Sequence, residues 1–193
     1  MEIYLLRHGR TTQPGTYTGI SDVQLSRSGE EQVSALSSLF SSHNFDRCYS
    51  SPLIRCRSTF EALGIDNDCV YDERLREINF GQWEGLTFKQ VETQFPGQLD
   101  LWKTQKQKFH FPGGDLLSDF SSRIEEWFEE LMRGDFERVL IVSHGGVIRV
   151  ALCHLLGIGN EFLFSFTISE ATVSMVAHEH GFARLELLNC RGY

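Results

Sequence analysis

The sequence predicts an α/β fold built on a mainly parallel sheet, and three features carry that expectation. Two short apolar runs, Ile3-Tyr4-Leu5-Leu6 and Val139-Leu140-Ile141-Val142, are too short for helices and read as buried strands. Each runs into a histidine and a glycine, Arg7-His8-Gly9 and Ser143-His144-Gly145-Gly146, at the strand end where parallel α/β sheets gather their chemistry. Segments with apolar residues at helical spacing lie between them. The chain then closes on residues 171–178 and 182–189, which read as an antiparallel hairpin turning at Glu179-His180-Gly181. That hairpin is expected to add edge strands to the sheet.

The elements follow in order. After the first strand, residues 12–26 read as a loop punctuated by Pro14, Gly15, Gly19 and Asp22, and a loop of that length after a strand end is commonly functional. Leu25, Val33, Leu36, Leu39 and Phe40 then fall at helical spacing, with Ser26 or Ser28 available as N-cap. Phe45 to Tyr49 reads as a short second strand. Ser51 as N-cap and Pro52 at the first helical position start a helix that buries Leu53, Cys56, Phe60 and Leu63. Arg55 lies in its first turn, where the helix dipole favours an anion, so it is either a surface arginine or has a negative partner nearby. Asp72 to Gly85 reads as an irregular, tightly packed loop around Trp83. Residues 87–95 and 99–108 read as short helices, the second exposed. Pro112-Gly113-Gly114 breaks the chain before a helix from Asp115 to Arg133, on which Leu117, Phe120, Ile124, Trp127 and Leu131 alternate spacings of three and four and which Gly134 ends. A last helix runs through Val147, Ile148, Ala151, Leu152 and Leu155 to Gly157.

At 193 residues the chain is expected to form one domain over residues 1–193, with room for a substantial core. Its 41% hydrophobic and 23% charged residues are ordinary for a globular protein. A net charge of −8 argues against broad binding to nucleic acid or anionic membranes. Any anionic substrate must therefore be drawn by a local cluster of arginines. The five scattered cysteines, with no Cys-x-x-Cys pair, suit reduced thiols in the cytoplasm. No signal peptide and no membrane-spanning run is expected.

Arg7, His8, His144 and Arg55 could converge on one crevice. Guanidinium groups, imidazoles and helix N–H groups suit a compact dianion such as a phosphoryl group. Histidines there could ligate a metal, but the spacing is not that of a zinc site and the arginines would repel a cation. Alternatively an imidazole attacks phosphorus, with the positive neighbours neutralising the equatorial oxygens. The arginine content fits the second use. Gly9 is expected to leave room for a ligand or backbone to come close.

Five stretches also carry a family resemblance. Leu6-Arg7-His8-Gly9-Arg10-Thr11, Ser50-Ser51-Pro52-Leu53-x-Arg55, Leu75-Arg76-Glu77 through Trp83-Glu84-Gly85, Pro112-Gly113-Gly114 and Ser143-His144-Gly145-Gly146 resemble, in order, the motifs of the histidine phosphatase superfamily, to which phosphoglycerate mutases belong. The resemblance implies a three-layer α/β/α sandwich and a ping-pong phosphatase reaction without metal or cofactor. In it His8 would take the phosphoryl group. Arg7, Arg55 and His144 would hold its oxygens, with His144 protonated when phosphate is bound. Glu77 would protonate the leaving alkoxide and then deprotonate water. Thr11, Tyr17, Thr18, Gly19 and Gly145 would contribute to phosphate or substrate binding.

The chain departs from the family where Glu often follows Arg-His-Gly (here Arg10), where Asn often stands six residues after the histidine (here Pro14), and where Gly-Gly-Glu-Ser becomes Gly113-Gly114-Asp115-Leu116. Its loop Pro14-Gly15-x-Tyr17-x-Gly19-x-x-Asp22-x-x-Leu25 is similar to that of alpha-ribazole phosphatases of cobalamin biosynthesis, as are Ile168-Ser169-x-Ala171-x-Val173 and Leu187-Leu188-Asn189. The expected substrate is thus a small-molecule phosphate ester, alpha-ribazole 5'-phosphate or a nucleotide-like relative. The alternatives are a broad-specificity sugar-phosphate or nucleotide phosphatase, a phosphoglycerate mutase, and a non-catalytic phospho-ligand binder. A homodimer is left open. The phenylalanines from Phe162 to Phe166 would either flank a nucleoside-like group or fill the core.

Overall fold

The computed structural model describes residues 1–40 and 43–191. Within them β1 (Glu2–Arg7), β2 (Arg47–Ser50), β3 (Cys69–Tyr71), β4 (Arg138–Ser143), β5 (Val173–Glu179) and β6 (Phe182–Cys190) form one sheet in the order β3-β2-β4-β1-β5-β6. The first four in that order run parallel to their neighbours, while β5 is antiparallel to both β1 and β6. Only β6 of the hairpin is therefore an edge; β5 is interior because β1 takes its other side. β3 closes the opposite edge. With three residues it is too short to show a sequence pattern.

Alternate residues of each central strand face opposite ways, and both faces are apolar. Ile3 and Leu5 of β1 and Val139 and Ile141 of β4 join one buried cluster, whereas Tyr4, Leu6, Leu140 and Val142 join another. Helices α1 (Arg27–Ser34), α2 (Ser37–Phe40) and α3 (Ile54–Leu63) cover the second face. The first is covered by α6 (Leu117–Met132) and α7 (Gly145–Leu155), with α4 (Phe88–Gln94) and α5 (Gln98–Gln105) contributing Val91 and Leu99. The architecture is the three-layer sandwich.

The parallel register brings the functional ends together. It runs from Glu2 opposite Arg138 to Arg7 opposite Ser143, so His8 and His144 emerge from neighbouring strands at the same level. Ser50 pairs with Val142, which brings the start of α3 to the same edge.

Several elements differ from the sequence expectation for tertiary reasons. The helix expected through Phe40 stops at Ser34 and resumes as the single turn α2; Ser26 does cap α1, accepting from Gly29 N at 3.1 Å, while Leu25 pairs with Thr11 instead of entering the helix. Ser51 does not cap α3. The helix begins at Ile54, whose N–H is accepted by Asp22 Oδ1 of the distant loop at 2.7 Å. α6 starts at Leu117 rather than Asp115, because the Asp115 carboxylate accepts from Asn79 N at 2.9 Å. Residues 99–108 are not simply exposed: Leu99 is buried and Trp102 packs among Tyr17, Trp83, Phe109 and Phe111. Of the phenylalanines after Glu161, Phe162 and Phe164 are exposed, whereas Phe166 packs half-buried against the core, and Leu163 is the buried residue of the short 3-10 turn.

Candidate active site

His8 is held by the sheet on both sides of its backbone, donating to Ser143 O at 3.0 Å and accepting from Ala171 N at 3.1 Å. Its ring is buried, with Nδ1 2.8 Å from Gly9 O. A carbonyl only accepts, so Nδ1 carries the hydrogen and Nε2 keeps its lone pair. Burial, then the charges of Arg7 and Arg55, pushes the imidazolium well below its ordinary range, so the ring is neutral. A neutral imidazole with Nε2 unprotonated can act as a nucleophile. Gly9 serves the backbone and not a ligand: a Cβ there would lie 2.6 Å from Gly29 O, so the glycine lets α1 seat against β1.

Two arginines flank it. Arg7 Nη1 donates to Ile168 O at 2.6 Å, while its Nε is buried without a partner among the described residues. A buried donor of this kind can bond a ligand oxygen or a water. Arg55 is fully buried, and burial lowers its pKa. It donates through Nε to His144 Nδ1 at 3.1 Å, through Nη1 to Ser21 O at 2.8 Å and through Nη2 to Gly19 O at 2.6 Å. Among the described residues no carboxylate pairs with it. The loop supplying those carbonyls is itself clamped by Glu84, whose carboxylate accepts from the N–H groups of Gly19, Ile20, Ser21 and Phe80 and from Ser21 Oγ at 2.6 Å. Sequence patterns do not reveal this role of Glu84, nor that of Asp22 at the start of α3.

His144 sits at the head of α7, its ring 5.2 Å from that of His8 between centroids. Because Nδ1 accepts from Arg55, Nε2 must carry the hydrogen that reaches Ser51 Oγ at 2.8 Å. The ring is neutral in the structure, its pKa pushed well below the ordinary value by burial, then by Arg55, His8 and Arg7. Cys56 Sγ lies 3.5 Å from Nε2, but burial pushes that thiol up to about 12, so it offers no negative charge. A dianion beside His144 would act in the opposite sense and favour its protonation.

Glu77 reaches the same crevice from the loop after β3. Oε1 accepts from Ile78 N at 3.1 Å and Oε2 from Gly146 N at 2.9 Å. Gly146 is what admits it: a Cβ there would stand 2.3 Å from Glu77 Oε1. Gly145 leads α7, where the first N–H groups have no intrahelical acceptor, and it borders Arg7. The structure thus brings Arg7, His8, Arg55, Glu77, His144 and Gly145 together. Gly19 acts on the site through its carbonyl to Arg55. The other loop positions are engaged elsewhere: Thr11 bridges Leu25, Thr18 Oγ1 meets Thr16 Oγ1 at 2.9 Å, and the Tyr17 ring packs on Phe80 and Trp83. Arg10 pairs with Glu170 at 3.1 Å on the rim. Among the described residues no group of three His, Cys, Asp or Glu is placed to hold a metal ion, and no helix is long and apolar enough to cross a membrane.

The chain is also similar to known proteins over nearly its whole length. The family model of the histidine phosphatase superfamily (branch 1) matches residues 3–191. The chain is 30% identical to the adenosylcobalamin/alpha-ribazole phosphatase of Salmonella typhimurium over 99% of its own length and 97% of the relative's. It is 29% identical to phosphoserine phosphatase 1 of Hydrogenobacter thermophilus, covering 93% of this chain and 87% of that one. The crystal structure of the alpha-ribazole phosphatase from Shigella flexneri superposes with a TM-score of 0.91 at 28% identity, covering 99% and 97% of the two chains.

Proposed function

The chain belongs to the histidine phosphatase superfamily, and on that premise we propose that it hydrolyses a small phosphomonoester through a phosphohistidine on His8, with alpha-ribazole 5'-phosphate or a similar nucleotide-like ester as substrate. The observation that carries the chemistry is the Nδ1–H bond of His8 to Gly9 O, which points to Nε2 as the attacking atom. In the first step Nε2 bonds to phosphorus and the P–O bond to the alcohol breaks. A protonated Glu77 gives its proton to the departing oxygen. In the second, Glu77, now a carboxylate, takes a proton from water; the water oxygen bonds to phosphorus, the P–N bond breaks, and inorganic phosphate leaves with His8 restored. Arg7, Arg55, the Gly145 N–H and His144 neutralise the transferring oxygens throughout.

The substrate assignment is supported by the loop residues Pro14 to Leu25 and by full-length similarity to alpha-ribazole phosphatases. A broad-specificity or phosphoserine-type phosphatase is the second reading, favoured by the nearly equal identity, 29%, to the Hydrogenobacter protein. Turnover of alpha-ribazole 5'-phosphate, phosphoserine, 3-phosphoglycerate and ribose 5-phosphate separates them. The proposal expects the highest kcat/KM on the first; comparable values on all four would sink it in favour of broad specificity.

A further inference from the structure

The wall on the leaving-group side of Glu77 is larger and more apolar than phosphoryl transfer requires. Glu77, Gly146 and Arg149 line one end of a cavity of about 90 Å³. Trp102, Leu117 and Phe164 line both this cavity and a groove of about 340 Å³, which Phe88, Leu99, Lys103 and Lys106 also line. That volume is within the range of small-molecule sites. Phe88 and Phe164 stand 53% and 61% exposed beside it, and the Trp102 and Phe164 rings meet edge to face at 5.5 Å. Large aromatic faces left open beside a reactive centre suit a ring that would cover them.

Arg149 lines the smaller of the two spaces. Its Nε donates to Phe166 O at 2.9 Å and its guanidinium lies 5.9 Å from the Phe164 ring centroid, so it braces the Asn160–Ser165 turn that carries Phe164. Its Nη1 borders the hollow over Gly145 that Arg7 also borders. Among the described residues no carboxylate lies within ion-pair distance of it.

We propose that Arg149 and the groove of Phe88, Trp102 and Phe164 form the leaving-group subsite, which selects an alcohol bearing oxygen acceptors near the ester and a flat, largely apolar ring beyond them. This rests on the phosphatase reading above and names the residues that choose its substrate. A small acid such as phosphoserine would occupy the Arg149 end and leave the aromatic faces uncovered, and a sugar phosphate has no flat, apolar ring to lay on them. A riboside 5'-phosphate spans both.

Calorimetry on the His8→Ala chain, which holds esters without turning them over, compares a benzimidazole riboside 5'-phosphate with ribose 5-phosphate. The ring-bearing ester should bind at least about tenfold tighter. Phe164→Ala combined with Phe88→Ala should reduce that ratio to within about threefold, with an unchanged melting temperature excluding misfolding. Arg149→Gln should weaken both esters alike, and Arg149→Lys should recover part of the loss. A ratio near one with the groove intact, a ratio indifferent to the Phe substitutions, or tighter binding of phosphoserine overturns the subsite. The phosphatase reading fails by a separate measurement: absence of p-nitrophenyl phosphate turnover and of a phosphoenzyme in the unsubstituted chain, whatever the binding ratio.

Discussion

His8 and His144 follow neighbouring parallel strands, are both buried, and are both held neutral by burial beside arginines, yet their ring nitrogens are engaged differently. At His8 a backbone carbonyl one residue away takes the Nδ1 hydrogen, and Nε2 is left with its lone pair. At His144 both nitrogens are used, Nδ1 by Arg55 and Nε2 by Ser51. Equal motifs on adjacent strands are therefore not equal groups. The first is arranged to form a bond, the second to orient and share charge.

Breaking the pair apart tests that asymmetry. His8→Ala should lower kcat/KM for any phosphomonoester by about 10⁴-fold or more and abolish an acid-labile phosphoenzyme, read by rapid quench with labelled substrate. His144→Ala should cost less, roughly 10²- to 10³-fold, and should still accumulate label on His8. If both variants lose the label alike, the distinction between the two rings is gone. Glu84→Gln should act through Arg55, whose carbonyl partners it clamps, raising KM about tenfold with a smaller change in kcat; an effect confined to melting temperature would make Glu84 merely structural.

The last effect is on stability against pH. Both folded pKa values lie below the unfolded value of about 6.5, so below that pH the unfolded chain binds more protons than the native one. Stability is therefore intact above about pH 6.5 and falls as the pH drops from there toward the folded pKa values, each histidine adding a slope of up to about 1.4 kcal/mol per pH unit. Urea titrations between pH 7 and 5 should show this slope, and His144→Asn should lessen it. A slope unaltered by the substitution would mean that His144 is charged in the native state.

Much of this was legible before the fold. Residues 3–6 and 139–142 are apolar without alternation because both faces of those strands are covered, and burial of that kind is written locally in the chain. The histidines and Arg7 stand at the ends of those runs and were readable as a phosphate site for the same reason. Glu77 was singled out only by its motif, since among Glu73, Arg74, Arg76 and Glu84 nothing local distinguishes it. The groove could not be read at all: Phe88, Trp102 and Phe164 come from three separate segments, and Phe164 has the composition of a core residue while lying exposed.

What the sequence determined by itself was thus the buried parallel strands, their two ends and the Arg7, His8 and His144 side chains placed there, because short-range periodicity and residue chemistry are enough for each, whereas the layer order and Glu77 came from the family resemblance. The tertiary structure alone decided which histidine keeps a free nitrogen. The acceptors and donors that settle the His144 tautomer, Arg55 and Ser51, lie 89 and 93 residues away in the chain, and only the sheet register brings them within hydrogen-bond reach.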